Sequence, residues 1–449
     1  MSSDAAGLRA RRAAYEILLR VDQRGAFADL LLGHRLPAFP VAADRRLITQ
    51  LVLGTLAWRG RLDFELARIS SRELERMTPE ILTVLRMALY QIRMLTRIPK
   101  HAAVDTAVSL ARAVAGPAPA GFVNAILRNA IRAAVALPQR AVDEIGHLAV
   151  VYSHPRWLVE KFVDWLGVDG AETLMAANNT AAPNVMRLNL ARADADSLIK
   201  LMQKDGLRIT RRGRLPETVA VEAGALFESV SFREGLFQPQ SEASQLVARL
   251  LAPSKGALVI DCAGAPGGKA SHLAELVGRR GRVIAFDINF AGLKNTLALA
   301  RRLRHHNMLC VQGDARGPLP LQPGSCKFVL LDAPCTGLGT LREHPEIRWR
   351  LKPDDITRMS LMQDRMIEYA ATLIAPDGVL VYAVCSIAPD EGLRIAQRFL
   401  DRHLDFAVDR STRLRTEFAD LLDDAGFMRT RPDREGLDGF FAARLIRRK

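Results

Sequence analysis

Disulfide and zinc chemistry have little to work with in this sequence. Only five of its 449 residues are cysteine, Cys262, Cys310, Cys326, Cys335 and Cys385, and no two form a C-x-x-C pair. An odd count without paired spacing fits neither a disulfide framework nor a tetrahedral zinc site. No bound metal is therefore expected, and the thiols read as reduced, in a cytoplasm. Long apolar runs are missing too. None is long enough to cross a bilayer, and the start, MSSDAAGLRARRAAYEILLRV, is charged and amphipathic where a signal peptide would be apolar. A membrane partner is not expected. Two nucleotide-binding signatures are also absent. The glycine-rich stretch DCAGAPGGKASH (261–272) has Ala263 and Ala270 at the first and last fixed positions of a Walker A loop, and the dinucleotide pattern G-x-G-x-x-G does not occur.

Positive charge is abundant. Lysine and arginine number 63 against 49 acidic residues, a net charge of +14, with arginine well ahead of lysine. That balance suits a polyanionic partner, most simply nucleic acid, because each neutralised phosphate releases counterions. A solvated basic surface is the plain alternative. The length calls for two or three domains, and a 49% apolar content supports a core in each.

Residues 1–138 read as helices joined by short polar turns. Ala14, Ile17, Leu18 and Val21 repeat at helical spacing, as do Ile48, Leu51, Val52 and Thr55. Thr78 is placed to cap a helix that Pro79 opens. LPQRAVDE (137–144) reads as a linker. Over 145–235 the texture becomes α+β, with strands in NVMRLNL, LRITRRG and TVAVEAG and a helix that starts near Asp194 and stops at Gly206. From 236 to 449 apolar strands (GALVIDCAG, GRVIAFDI, MLCVQGDA, KFVLLDAP, GVLVYAVCS) alternate with helical stretches. Continuous apolar strands with helical crossovers predict a parallel, doubly wound α/β sheet, whose ligands bind beyond the carboxyl ends of the strands.

The chemistry-bearing residues fall at those ends. The loop from Ala263 to Lys269 is tight enough for backbone N–H groups to approach a ligand at a helix N-terminus. Asp287 ends the next strand, where a carboxylate can accept both hydroxyls of a ribose, and Asp314 ends the third and is placed for an adenine edge. A series of this kind without a pyrophosphate loop suits S-adenosylmethionine; turn residues without a ligand are the alternative, most of all for Asp314. Cys335 follows the fourth strand and Cys385 ends the fifth. Taken singly, each thiol is better explained by core packing. Together, beside a methyl-donor loop in a basic protein, they point to cytosine C5 chemistry: a thiolate adds at C6, making C5 nucleophilic, and elimination later frees the thiol. Asp332 would stabilise charge on the ring.

DCAGAPGGK, FDI, GDA, LDAPCTGLGTLREHPEIRW and VYAVCS resemble, in order, the motifs of the Sun-type RNA (cytosine-C5) methyltransferases. RIPKHAAV and GFVNAILRNAIR resemble that family's NusB-like helical domain, and LFQPQSEASQLVA the entry to its catalytic domain. The resemblance covers essentially the whole chain. It implies a NusB-like all-α RNA-binding bundle (1–138), a small α+β intermediate domain (145–235) and a Rossmann-like S-adenosylmethionine methyltransferase domain (236–449). It implies Cys385 as the nucleophile, Cys335 as the thiol that helps break the adduct, and Asp332 as the catalytic and cofactor-adjacent acid. It assigns Ala263, Gly264, Ala265, Pro266, Gly267, Gly268, Lys269, Asp287 and Asp314 to the S-adenosylmethionine site. The expected substrate is 16S rRNA or a small-subunit assembly intermediate, at the cytosine numbered 967, and the expected state is a monomer. Three positions depart from the family pattern: Val384 stands where threonine is usual, Ala263 where cysteine is frequent, and Ser241 where aspartate is common. Arg342, His344 and Arg348 are candidates to grip RNA, with a solvated loop as the alternative. The rival functions are a tRNA cytosine-5 methyltransferase and a non-catalytic RNA-binding assembly factor.

Overall fold

The computed structural model describes residues 3–211 and 214–448. It divides into two compact units. One runs to Ala181 and includes Leu341–Leu351; the other is Ala182–Thr340 with Lys352–Lys449.

The first unit is helical. Its major helices are Ser3–Arg24, Ala28–Arg35, Ala42–Ala57, Arg59–Ile69, Pro79–Met94, Lys100–Ala115, Pro117–Arg132, Glu144–Val151 and Arg156–Asn178. The two periodic stripes do what their spacing predicts. Ala14, Ile17, Leu18, Val21, Ile48, Leu51 and Val52 are buried together in one core, because residues three and four apart share a helix face. Thr78 takes the N-cap position with Pro79 next, but its side chain makes no capping bond.

The second unit holds two sheets. The smaller is antiparallel, in order β2-β3-β1-β4, from β1 (Val185–Leu188), β2 (Arg208–Arg211), β3 (Thr218–Ala223) and β4 (Phe237–Pro239). The larger uses β5 (Leu258–Asp261), β6 (Arg282–Asp287), β7 (Met308–Gln312), β8 (Cys326–Asp332), β9 (Ile374–Val384), β10 (Phe406–Val408), β11 (Met428–Thr430) and β12 (Phe440–Arg447). Its order is β10-β12-β9-β8-β5-β6-β7, with β11 also on β12. The five strands expected from apolar runs are parallel to one another; β10, β11 and β12 pair antiparallel. The sheet is mixed where a parallel one was expected. Alternate residues feed two cores: Val329, Leu331, Tyr382 and Val384 enter one, while Leu330, Val381 and Ala383 enter the other. That is why these strands read as unbroken apolar runs.

Register brings the chemistry to one edge. Asp261 pairs with Ala285 and Leu330, and Asp332 pairs with Ala383, one residue short of the end of β9. No helix of the described residues is long and apolar enough to cross a membrane.

Candidate active site

The turn from β5 into the helix Gly268–Val277 is shaped by its glycines. A Cβ on Gly264 would lie 2.7 Å from the Cβ of Ala285 on β6, so only hydrogen fits there. Gly267 sits at φ +102°, in the left-handed region that favours glycine. A Cβ on Gly268 would enter open space, with nothing within 4 Å. Ala265 N–H donates to Asp287 Oδ2 at 3.1 Å, so the acid ending β6 props the loop, and Asn289 N–H donates to its other oxygen at 2.8 Å. Asp314 stands apart. It is exposed, and Arg316 takes its carboxylate at 2.7 Å, which holds that carboxyl below its usual range.

Lys269 crosses from this loop to the end of β8, where its Nζ lies 2.7 Å from Asp332 Oδ2. Burial opposes the ammonium, but the charges of Asp332, Cys385 and Asp261 prevail and raise its pKa. Asp261, buried beneath, is pushed up to about 7, first by burial and then by the Asp332 charge. Cys335 and Cys385 meet at the edge, with their sulfurs 3.0 Å apart as free thiols. Their hydrogen bond, then burial, holds Cys335 well above the ordinary thiol value. Cys262 is buried, and burial pushes its thiol far up, which makes it a packing residue. Val384, where a threonine was the family expectation, is fully buried and pairs with Phe441 of β12.

A cavity of about 430 Å³ touches the loop at Pro266 and Gly268, but neither the thiols nor Asp332 line it. The reactive groups lie elsewhere.

Two arginines acquire roles that sequence alone did not assign. Arg187, on β1, is fully buried and donates to Gly268 O at 2.8 Å, Ser271 Oγ at 2.9 Å and Glu275 Oε1 at 2.9 Å. It fixes the start of the loop helix from the smaller sheet. Asn189 donates to Gly235 O and Leu303 O, again a tie between segments. Arg348, a candidate for gripping RNA, is instead buried at 0% exposure. Its guanidinium reaches Asn179 Oδ1 at 2.8 Å and the carbonyls of Leu341, Ser153 and Asn178. Among the described residues no carboxylate pairs with it, and burial lowers its pKa to about 9. It cannot meet a phosphate from there. His344 packs near Asp29 and Glu346.

Comparison with known proteins gives this geometry a family. Residues 248–446 match the model described as 16S rRNA methyltransferase RsmB/F, residues 8–132 the NusB family, and residues 154–226 the ferredoxin-like domain of RsmF/B-like methyltransferases. A Bacillus subtilis (strain 168) protein named "Probable ribosomal RNA small subunit methyltransferase B" is 31% identical over 96% of this chain and 97% of its own. The chain belongs to the RsmB/F family. Vibrio vulnificus (strain YJ016) ribosomal RNA small subunit methyltransferase B is 32% identical, covering 97% of this chain and 99% of its own. A crystal structure titled for PH0851 superposes with a TM-score of 0.85 at 27% identity, over the full length of both chains. The protein is thus an rRNA methyltransferase with a NusB-like helical domain, a small intermediate domain and a methyltransferase domain built on a mixed sheet.

Proposed function

We propose that this RsmB/F member transfers a methyl group to C5 of a cytosine in 16S rRNA, the one numbered 967, through a covalent bond between Cys385 and C6. The observation that carries the reading is the thiol pair, 3.0 Å apart, beside the Lys269–Asp332 pair. S-adenosylmethionine, when bound, supplies an electrophilic methyl. The loop Ala263–Lys269 fits such a group: the open space before Gly268 admits one against the backbone, and the half-buried Asp287 carboxylate keeps lone pairs for a ribose. Asp314 would lie further out, at the adenine edge.

Cys385 sulfur adds to C6, and its electron pair moves the C5–C6 π electrons so that C5 can take the methyl. Asp332, held by Lys269, hydrogen-bonds a proton at N3 as the ring takes up the sulfur's electron pair. A base then takes the C5 proton, and the C5–H electron pair restores the double bond as the C6–S bond breaks and Cys385 leaves as thiolate. Cys335, in contact with that sulfur, assists the release. A stacked base cannot present C6 to a thiol, so the target must be unpaired or flipped out.

RNA carrying 5-fluorocytidine keeps a group that cannot leave as a proton. It should trap a donor-dependent adduct that Cys385→Ser abolishes, while Cys335→Ala accumulates adduct on ordinary RNA. An adduct that survives Cys385→Ser would sink the assignment. Bisulfite sequencing with and without the protein tests the substrate: a changed tRNA with unchanged 16S rRNA would refute the rRNA site.

A further inference from the structure

Glu391 has no part in the chemistry above, yet it is a fully buried carboxylate that both cysteine turns reach. It lies in the loop between β9 and the helix Leu393–Arg402, six residues past Cys385. On the Cys335 side, Thr336 N–H donates to Oε1 at 2.8 Å and Thr336 Oγ1 donates to Oε2. On the Cys385 side, Ser386 Oγ donates to Oε2 at 2.5 Å. Gln363 Nε2 donates both to Glu391 Oε1, at 3.1 Å, and to Pro334 O, at 2.8 Å. The residue following each thiol is therefore tied to one carboxylate, and the residue preceding Cys335 is tied to it through Gln363.

Burying a carboxylate is expensive even when its hydrogen bonds are satisfied. A brace could be built from neutral groups, so the charge itself calls for a role. The two sulfurs face opposite surroundings. Glu391 adds negative charge on the Cys335 side, with the Tyr382 hydroxyl also close, and raises that thiol further. On the Cys385 side the nearby charge is the Lys269 ammonium, itself paired with Asp332 at 2.7 Å.

We propose that Glu391 is a positioning residue for the thiol pair: it fixes the two turns at sulfur contact and sets its charge on the Cys335 side. The inference rests on the reading of Cys385 as nucleophile.

Glu391→Gln keeps the size and one acceptor but removes the charge. In the full-length protein, adduct formation on 5-fluorocytidine RNA should slow by about 10- to 100-fold, with KM for RNA within about twofold of wild type. A second readout needs no RNA. In a Cys385→Ser background, the pH midpoint for alkylation of Cys335 by iodoacetamide, followed by mass spectrometry, should fall by about one unit when Glu391 becomes Gln. A folded variant with both the rate and the midpoint unchanged overturns the inference. If the wild-type protein forms no adduct at all, the nucleophile reading fails, and the alkylation midpoint still decides whether the Glu391 charge acts on Cys335. Should Glu391→Gln fail to fold, Ser386→Ala keeps the carboxylate and removes one donor from the Cys385 turn. It should slow adduct formation about threefold or more, and an unchanged rate there overturns the inference as well.

Discussion

The β8–β9 edge and the β5–β7 edge of the larger sheet carry similar residues at their strand ends and hold them differently. At β8–β9, side chains bond to side chains: Lys269 to Asp332, Cys335 to Cys385, and Thr336 and Ser386 to Glu391. At β5–β7, Asp287 is bonded by backbone N–H groups, and Asp314 by a neighbour two residues on. The first arrangement sets charge and reactivity in a desolvated place, where each group depends on the others. The second holds a loop in shape and leaves its carboxylates lone pairs for an incoming ligand. On the proposed reading, catalytic demand falls on the first edge and cofactor demand on the second.

The sharpest way to break that contrast is Lys269→Met. It strands Asp332 near Asp261 without a counter-charge, so methyl transfer should fall about 100-fold or more and the melting temperature should drop. Activity within about threefold of wild type would mean that the Lys269–Asp332 pair is only scaffolding.

Asp261 tests the same edge through pH. Its folded-state pKa of about 7 lies above the ordinary 3.8, so the folded chain holds a proton that the unfolded chain has released. As pH rises from about 4 to about 7, this group removes stability at about 1.4 kcal/mol per pH unit. Asp261→Asn lacks that slope. Urea midpoints at pH 5 and pH 8 should show the variant gaining on wild type at the higher pH. An equal offset at both would place the proton elsewhere.

Much of this edge was legible in the sequence, because β5, β6, β8 and β9 bury residues on both faces and read as apolar runs that end in acids and cysteines. What escaped was decided by contacts distant along the chain. β10 and β11 have three residues each, and their antiparallel partner β12 defines them. Arg348 sits in LREHPEIRW, whose charges look like an RNA-facing loop. Only the folded unit surrounds it with the carbonyls of Ser153 and Asn178. Glu391 sits in APDEG, which reads as a turn. Its importance comes from Thr336, 55 residues earlier. Arg187 is similar: its partners Ser271 and Glu275 lie more than eighty residues on.

The smallest effects should separate the two acids of the cofactor edge. Asp287→Ala removes an acceptor of two backbone N–H groups as well as the proposed ribose contact, and should weaken S-adenosylmethionine binding about tenfold by calorimetry. Asp314→Ala removes an exposed carboxylate already paired with Arg316, whose pairing energy in solvent is small. It should weaken binding no more than about threefold. Arg316 must be watched in the same experiment, because Asp314→Ala takes away the carboxylate it pairs with. If Arg316→Ala alone matches Asp314→Ala, the pair acts as one unit at the adenine edge. If Asp314→Ala costs more than Asp287→Ala, the exposed acid is the principal cofactor contact, and the loop prop at Asp287 is a matter of folding alone.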